Sequence, residues 1–171
     1  LWERHESSGD DSLWSASAFW GVPWVEAVLG CPLKVNHKTG SIHTEPPPGF
    51  SGAASLPVVD DTNPWFRALG KYARRLASHA AGRYPLATPR MRGISDLLSA
   101  LYGGQELVFA MLENPGEVHA VAARLAETWL AVAKAQLEAY PTFHGGHGAY
   151  FYNLWTPPGT AFYQDDSVAL L

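Results

Sequence analysis

Two long amphipathic stretches dominate the pattern of hydrophobic and polar residues. Apolar residues recur at helical spacing between Asn63 and Gly82, and Asn63-Pro64 combines a good N-cap with a proline suited to a first helical turn. A second apolar stripe runs from Val118 to Leu137 and stops before Pro141. The sequence therefore predicts two long helices, each with one buried face.

Shorter elements flank and separate these helices. Short helices are predicted from Pro23 to Gly30, after Gly93 with Ser95 or Asp96 as the cap, and from Gln105 to Glu113. A hairpin is predicted for Leu33–Asn36 and Ser41–Thr44. Further strands are predicted at Tyr84–Thr88, Ala149–Tyr152 and Ala161–Tyr163, with a turn at Pro89–Arg92 and a loop at Trp155–Gly159. The alternative for residues 143–166 is one long irregular loop.

The two ends have the pattern of a longer protein. No methionine begins the chain, and Ser167–Leu171 starts a helix-like apolar pattern, with Asp166 or Ser167 suited to cap it, that stops without a C-terminal signal. We interpret the 171 residues as an internal fragment.

Composition narrows the class of protein. Hydrophobic residues at 47% and charged residues at 16% are typical of a globular chain. A net charge of −4 gives no reason to expect nucleic acid or an anionic membrane as a partner, so a small-molecule substrate is expected. No apolar run approaches the roughly 20 residues that span a bilayer. The single Cys31 excludes an intramolecular disulfide, which is consistent with a cytoplasmic location.

Charged clusters follow two of the predicted strands. Arg90 and Arg92 come after the first, and Gln164, Asp165 and Asp166 come after the last. Parallel strands would bring both clusters to the end of the sheet where α/β folds place their chemistry. The arginines are predicted to bind a substrate carboxylate or phosphate; the alternative is pairing with a nearby acid or covering a helix end.

Asp165 and Asp166 are the predicted catalytic residues, with Gln164 as a substrate contact beside them. Consecutive residues of a strand point to opposite faces, so only one of the aspartates can enter the site, and Asp165 is favoured. An acid at that position can steer a proton or bind substrate nitrogens. Helix capping is the competing interpretation, especially for Asp166.

A His-Gly-Gly-His segment adds further polar candidates. His144 and His147, with Tyr150 close by, are predicted to contact the substrate. Metal binding would need a third ligand from outside the sequence, because zinc sites use three or four protein ligands. Ordinary loop histidines remain the other possibility, and no metal ligand is assigned.

Several segments resemble the uroporphyrinogen decarboxylase superfamily. They are Tyr84–Ala87, Gly93–Leu98, Leu101–Gly103, Met111–His119 and Gln164–Ser167, with Trp24–Pro32 and Asn63–Trp65 upstream. The resemblance implies a single (β/α)8 TIM barrel, of which residues 63–171 would form the first part, behind an N-terminal region of residues 1–62 with a helix and a β-hairpin. It also implies decarboxylation of acetate side chains on a porphyrinogen without a cofactor.

Sister groups of that superfamily carry out a different reaction. In them the resemblance implies methyl transfer with a corrinoid protein and zinc, whose ligands would lie mostly beyond Leu171. Two positions depart from the decarboxylase pattern: the expected tyrosine falls near Ser99 and the expected serine at Asp166. The main prediction is a decarboxylase of a tetrapyrrole or similar acidic molecule. A methyltransferase and a non-catalytic small-molecule-binding barrel are the alternatives, with a homodimer expected for the full-length protein.

Overall fold

The computed structural model describes residues 2–9, 13–19, 21, 23–149 and 153–166. Its helices are α1 (Trp2–Ser8), α2 (Trp24–Val28), α3 (Pro64–Ala80), α4 (Ile94–Tyr102), α5 (Gly104–Glu113) and α6 (Pro115–Ala139), with a 3-10 turn at Ala53–Ser55. Its strands are β1 (Leu33–Asn36), β2 (Ser41–Thr44), β3 (Ala87–Thr88), β4 (Met91–Arg92), β5 (His147–Ala149), β6 (Leu154–Thr156) and β7 (Tyr163–Gln164). The α/β class is therefore confirmed.

The predicted helices and hairpin form where local signals place them. Asn63 caps α3, because its Oδ1 accepts hydrogen bonds from the N–H groups of Trp65 and Phe66, each at 3.1 Å. The α6 stripe is buried at Val118 and Leu125, and also at Val121 and Val132. None of the helices in the described ranges is both long and apolar enough to cross a membrane.

The chain divides into two compact units. The first contains Leu1–Trp20, Ala68–Arg90 and Ala133–Phe162, and the second contains Gly21–Arg67, Met91–Val132 and Tyr163–Leu171. Small sheets occur in both, and none of those seen in the described residues closes into a barrel. The boundary predicted at residue 62 stays a prediction.

The first unit is built around a short sheet and an aromatic core. Strand β3 pairs in parallel with β5, and β5 pairs antiparallel with β6. Tyr84, Leu86 and Tyr140 are buried together, and Trp14 packs edge-on against Tyr84 with ring centroids 5.0 Å apart. This unit thus has its own hydrophobic core.

The second unit contains a parallel strand pair with helices packed on it. Met91 pairs with Tyr163 and Arg92 with Gln164, so β4 and β7 run in parallel. Helix α2 contacts both α4 and β4. The hairpin of β1 and β2 belongs to the same unit, with Leu33 opposite Thr44. The pair places the carboxyl ends of β4 and β7 side by side.

Three predictions about the strands were wrong in detail. Met91 and Arg92 form strand β4 instead of a turn; Pro89, which has no N–H to donate, separates it from β3. Trp155 and Thr156 are in β6 and not in a loop, because Trp155 pairs with Gly148 of β5, and Gly146 has no side chain where a Cβ would overlap the indole. The last strand is Tyr163–Gln164, displaced from Ala161–Tyr163. Ala149 ends β5, whereas Tyr150–Tyr152 and the helix expected after Ser167 lie outside the described residues.

Candidate functional site

The two predicted anion-binding arginines belong to different units. Arg90 is the last residue of its segment in the first unit, whereas Arg92 lies in β4 of the second. Both side chains are partly buried. Only Arg92 is therefore in the same unit as Gln164, Asp165 and Asp166.

Arg92 is held between two buried carboxylates. Its Nη1 lies 3.0 Å from Oε1 of Glu26, and its Nε lies 3.4 Å from Oδ2 of Asp96. The Arg92 side chain is 30% exposed, while those of Glu26 and Asp96 are 0% and 1% exposed. Burial lowers the pKa of the guanidinium, but the two carboxylates outweigh it and the net pKa is raised. Arg92 therefore pairs with nearby acids, which was the alternative interpretation of the sequence. Contact of Arg92 with a substrate stays a prediction.

Glu26 is the residue of this cluster that the sequence analysis missed. It lies in α2, whose residues are all buried. Its Oε1 accepts the hydrogen bond from Arg92, whereas its buried Oε2 has no partner within the described ranges. Burial raises the pKa of this carboxyl group, against the lowering effects of a backbone hydrogen bond and the Arg92 charge. A charged residue inside the apolar run Trp24–Leu29 was the available signal.

Asp165 caps helix α4 from the neighbouring strand. Its carboxylate accepts hydrogen bonds from the N–H groups of Ser95 at 3.3 Å and Asp96 at 3.1 Å, and also from the Ser95 hydroxyl. The Tyr163 hydroxyl donates to the same carboxylate at 2.7 Å. The prediction of Ser95 or Asp96 as the N-cap was wrong, because both lie within the first turn of α4 and the capping group comes from Asp165.

Gly93 allows this arrangement. It is the N-cap residue of α4 and has no side chain with which to cap the helix. A Cβ atom there would lie 2.5 Å from the Cβ and Cγ of Asp165, which is too close for a real contact. The absence of a side chain at Gly93 therefore makes room for the capping carboxylate.

The other two polar residues at the end of β7 are joined by a hydrogen bond, and Asp166 is the more exposed of them. The carboxylate of Asp166 accepts a hydrogen bond from Nε2 of Gln164 at 2.8 Å. The backbone N–H of Asp166 donates a hydrogen bond to Asp96 Oδ2 at 3.3 Å. Asp166 is exposed and Gln164 is partly buried. The Asp166 side chain is therefore better placed than the Asp165 carboxylate to meet a molecule from solution.

The predicted histidine contacts lie in the first unit. His147 is buried in β5, and desolvation lowers its pKa, which favours the neutral imidazole. His144 is exposed in the preceding turn, with a φ of 50° and its ring edge-on to Phe143. Tyr150 lies outside the described residues. The substrate-binding roles of all three stay predictions.

The cluster in the second unit joins ion pairing to helix capping at one strand end. Arg92 connects Glu26 to Asp96, Asp166 connects Asp96 to Gln164, and Asp165 fixes the first turn of α4. The Tyr163 hydroxyl donates a hydrogen bond to the Asp165 carboxylate and also accepts one from the Ile94 N–H at 3.0 Å. Chemically the site offers acceptor oxygens, one buried acid with a raised pKa and no uncompensated cation among the residues just named.

Comparison with known proteins gives a likeness of fold. No protein-family model matches the sequence, and no curated protein matches it. Among solved structures, a methyltransferase from Methanosarcina mazei superposes with a TM-score of 0.64 at 14% sequence identity. The match covers 81% of this chain and 40% of that one. The chain thus spans less than half the length of its structural neighbour and shares with it an α/β fold.

Proposed function

We propose that the protein is a methyltransferase with a (β/α)8 barrel, of which this chain supplies the first part. The observation that carries the proposal is the structural likeness to a methyltransferase over 81% of the chain. Methyl transfer is also the reaction that the sequence resemblance implies for the sister groups of the uroporphyrinogen decarboxylases. The fold likeness therefore favours the reaction that the sequence analysis gave as an alternative over the decarboxylation that it gave as the main prediction.

The connection between β4 and β7 supports the barrel. These parallel neighbours are joined through α4, α5 and α6 and then through the short strands β5 and β6. The connection therefore contains the helical crossover of a β–α–β unit, the repeating element of parallel barrels, with two further strands inserted in it. In such barrels the chemistry lies at the carboxyl ends of the strands. Arg92 and Gln164 end β4 and β7, so the charged cluster occupies that position.

The charges of the cluster support methyl transfer over decarboxylation of an acidic substrate. A decarboxylase acting on carboxylated side chains needs cations free to bind them. Arg92 instead already contacts Glu26 and Asp96, and a substrate carboxylate would have to displace one of them at the cost of a buried ion pair. In our proposal Arg92 is a positioning residue, and the exposed Asp166 with Gln164 contacts the substrate.

Zinc and a corrinoid partner would supply the metal-assisted and methyl-carrying chemistry that the resemblance implies. Among residues 2–9, 13–19, 21, 23–149 and 153–166, no three His, Cys, Asp or Glu side chains form a group that could hold a metal ion. The described residues therefore do not fit a zinc site, and no step of the proposal is assigned to zinc here. The role we assign to this chain is to hold the first turn of α4 and the end of β7 in place and to contact the substrate through Asp166 and Gln164. The cytoplasmic location and the homodimer stay predictions.

A direct assay separates the proposed reaction from its competitor. The purified full-length protein is incubated with methylcobalamin and 2-mercaptoethanol, and loss of the methyl–cobalt spectrum is followed with and without added zinc. Thiol-dependent demethylation above the protein-free rate is expected, and Asp166→Asn should reduce it while an exposed control, Asp61→Asn, should not. In parallel, uroporphyrinogen is offered and its carboxyl groups are counted by chromatography. Decarboxylation without demethylation would refute the proposal, and ligand binding without either reaction would favour the non-catalytic barrel.

A further inference from the structure

A cavity of about 380 Å³ lies in the second unit, at the opposite end of α4 from Asp165. Helix α4 has nine residues, so the two ends are separated by about 12 Å along its axis. The walls of the cavity include Pro46, Pro47, Phe50, Gly52, Tyr102 and Glu117. Its volume falls within the range of small-molecule sites.

Glu117 is fixed at the wall of this cavity by the backbone of the facing loop. Its Oε1 accepts a hydrogen bond from the Ala53 N–H at 2.7 Å. Gly52, with a φ of 107°, permits this approach, because a Cβ there would overlap Oε1 of Glu117. The carboxylate is partly buried, and it is the one charged side chain among the residues that line the cavity.

Tyr102 contributes a polar group that the protein does not satisfy. Its hydroxyl oxygen is buried and has no hydrogen-bond partner in the described part of the chain. Burial, reinforced by the charge of Glu117, raises the pKa of this phenol, so it remains a neutral hydroxyl. Its ring packs edge-on against Phe50 with centroids 5.0 Å apart. Because buried polar groups in native proteins are normally paired, this hydroxyl indicates a missing partner.

We propose that the cavity binds a small protonated amine, a function separate from the proposed methyl transfer. The ammonium group donates a hydrogen bond to Glu117 and, when the Tyr102 side chain turns its buried oxygen towards the cavity, a second one to that oxygen. The apolar part of the ligand packs against Phe50 and Pro47. Carboxylate and aromatic faces both attract cations, and no lining residue offers a positive charge to an anion. The structure thus assigns this cavity to organic cations.

Benzylammonium and its uncharged isostere benzyl alcohol test the charge requirement. Binding to the purified protein at neutral pH is measured by isothermal titration calorimetry. We expect benzylammonium to bind at least about tenfold more tightly than benzyl alcohol. Glu117→Gln keeps an acceptor oxygen for the Ala53 N–H but removes the charge, and should weaken benzylammonium about tenfold or more. Glu113→Gln, the same change on an exposed residue of α5, should leave the affinity unchanged.

Tyr102→Phe provides a second variant, in case Glu117→Gln fails to fold. It retains the ring packed on Phe50 and should weaken benzylammonium by roughly threefold to tenfold. Equal affinity for the amine and the alcohol overturns the proposal. So does an unchanged affinity in folded Glu117→Gln or Tyr102→Phe, and so does the absence of benzylammonium binding to the unmodified protein.

Discussion

Replacing Arg92 by Met removes the cation between two buried acids and keeps an unbranched side chain about as long as the aliphatic part of the arginine. In the native protein the guanidinium lies 3.0 Å from Glu26 Oε1 and 3.4 Å from Asp96 Oδ2. Breaking a buried ion pair from one side costs about 3–5 kcal/mol, because the remaining charge is buried without compensation. Arg92 is 30% exposed, so water can partly replace it, and we expect the free energy of unfolding to fall by about 3 kcal/mol.

The pH dependence of this loss follows from Glu26. Burial already raises its pKa above the ordinary 4.5, and removing the Arg92 charge raises it further. The folded variant then binds a proton more tightly than the unfolded chain does, so its stability increases as the pH falls through the raised pKa towards 4.5. Because the protonated carboxyl group no longer needs Arg92, the deficit relative to the native protein should shrink in acid.

Urea denaturation followed by tryptophan fluorescence, at neutral pH and at about pH 5, measures both effects. Arg124→Met is the matched control: its pair with Glu127 is exposed, and the change should cost about 0.5 kcal/mol or less. Adding Glu26→Gln to Arg92→Met should recover part of the loss. A loss at Arg92 no larger than at Arg124, or a deficit that grows as the pH falls, would refute this account of the cluster.

Three further predictions concern single residues of the second unit. Asp165→Asn weakens the cap of α4 and should lower the free energy of unfolding by about 1–2 kcal/mol in urea denaturation. Asp166→Asn, at an exposed carboxylate, should change it little. Equal effects of the two substitutions would contradict the capping role. Gly52→Ala should lower the free energy of unfolding by about 1–3 kcal/mol, and by more than Gly49→Ala does. Both glycines have a positive φ, but only Gly52 is in contact with Glu117. Equal losses of stability in the same measurement would show that this contact is unimportant. Cys31 is 4% exposed, and burial raises its pKa to about 12. The thiol should therefore resist a disulfide reagent in the native protein and react fully in urea. Rapid reaction without urea would disprove its burial.

The ends of the helices could be predicted because their signals are local. Asn63 caps α3 through N–H groups two and three residues further along the chain. The end of α6 before Pro141 and the apolar stripe along this helix likewise depend on neighbours in sequence and on helical periodicity. Strands of two or three residues were placed less well, because pairing partners decide where such short strands begin and end.

The candidate site was predicted only as a set of residue types. Sequence position singled out Arg92 and Asp165 at strand ends, where the structure has them. It left open what they contact, and it missed Glu26, because an acid in the middle of a short apolar helix has no local pattern that names its partner. The Asp165 cap was missed for the same reason, since Ser95 lies 70 residues away in the chain.

The α/β class, the long helices, the hairpin and the charged strand ends could all be predicted from the sequence, since each of them depends on side-chain spacing and turn chemistry within a few residues. Three contacts came to light only in the folded chain: Arg92 pairs with Glu26, 66 residues away, Asp165 caps α4, and Glu117 and Tyr102 border one cavity. The contacts of Arg92 and Asp165 arise when β4 pairs with β7 and α2 packs against α4, and no local propensity encodes that pairing. Long-range packing therefore fixed the chemistry of residues whose identity the sequence had already provided.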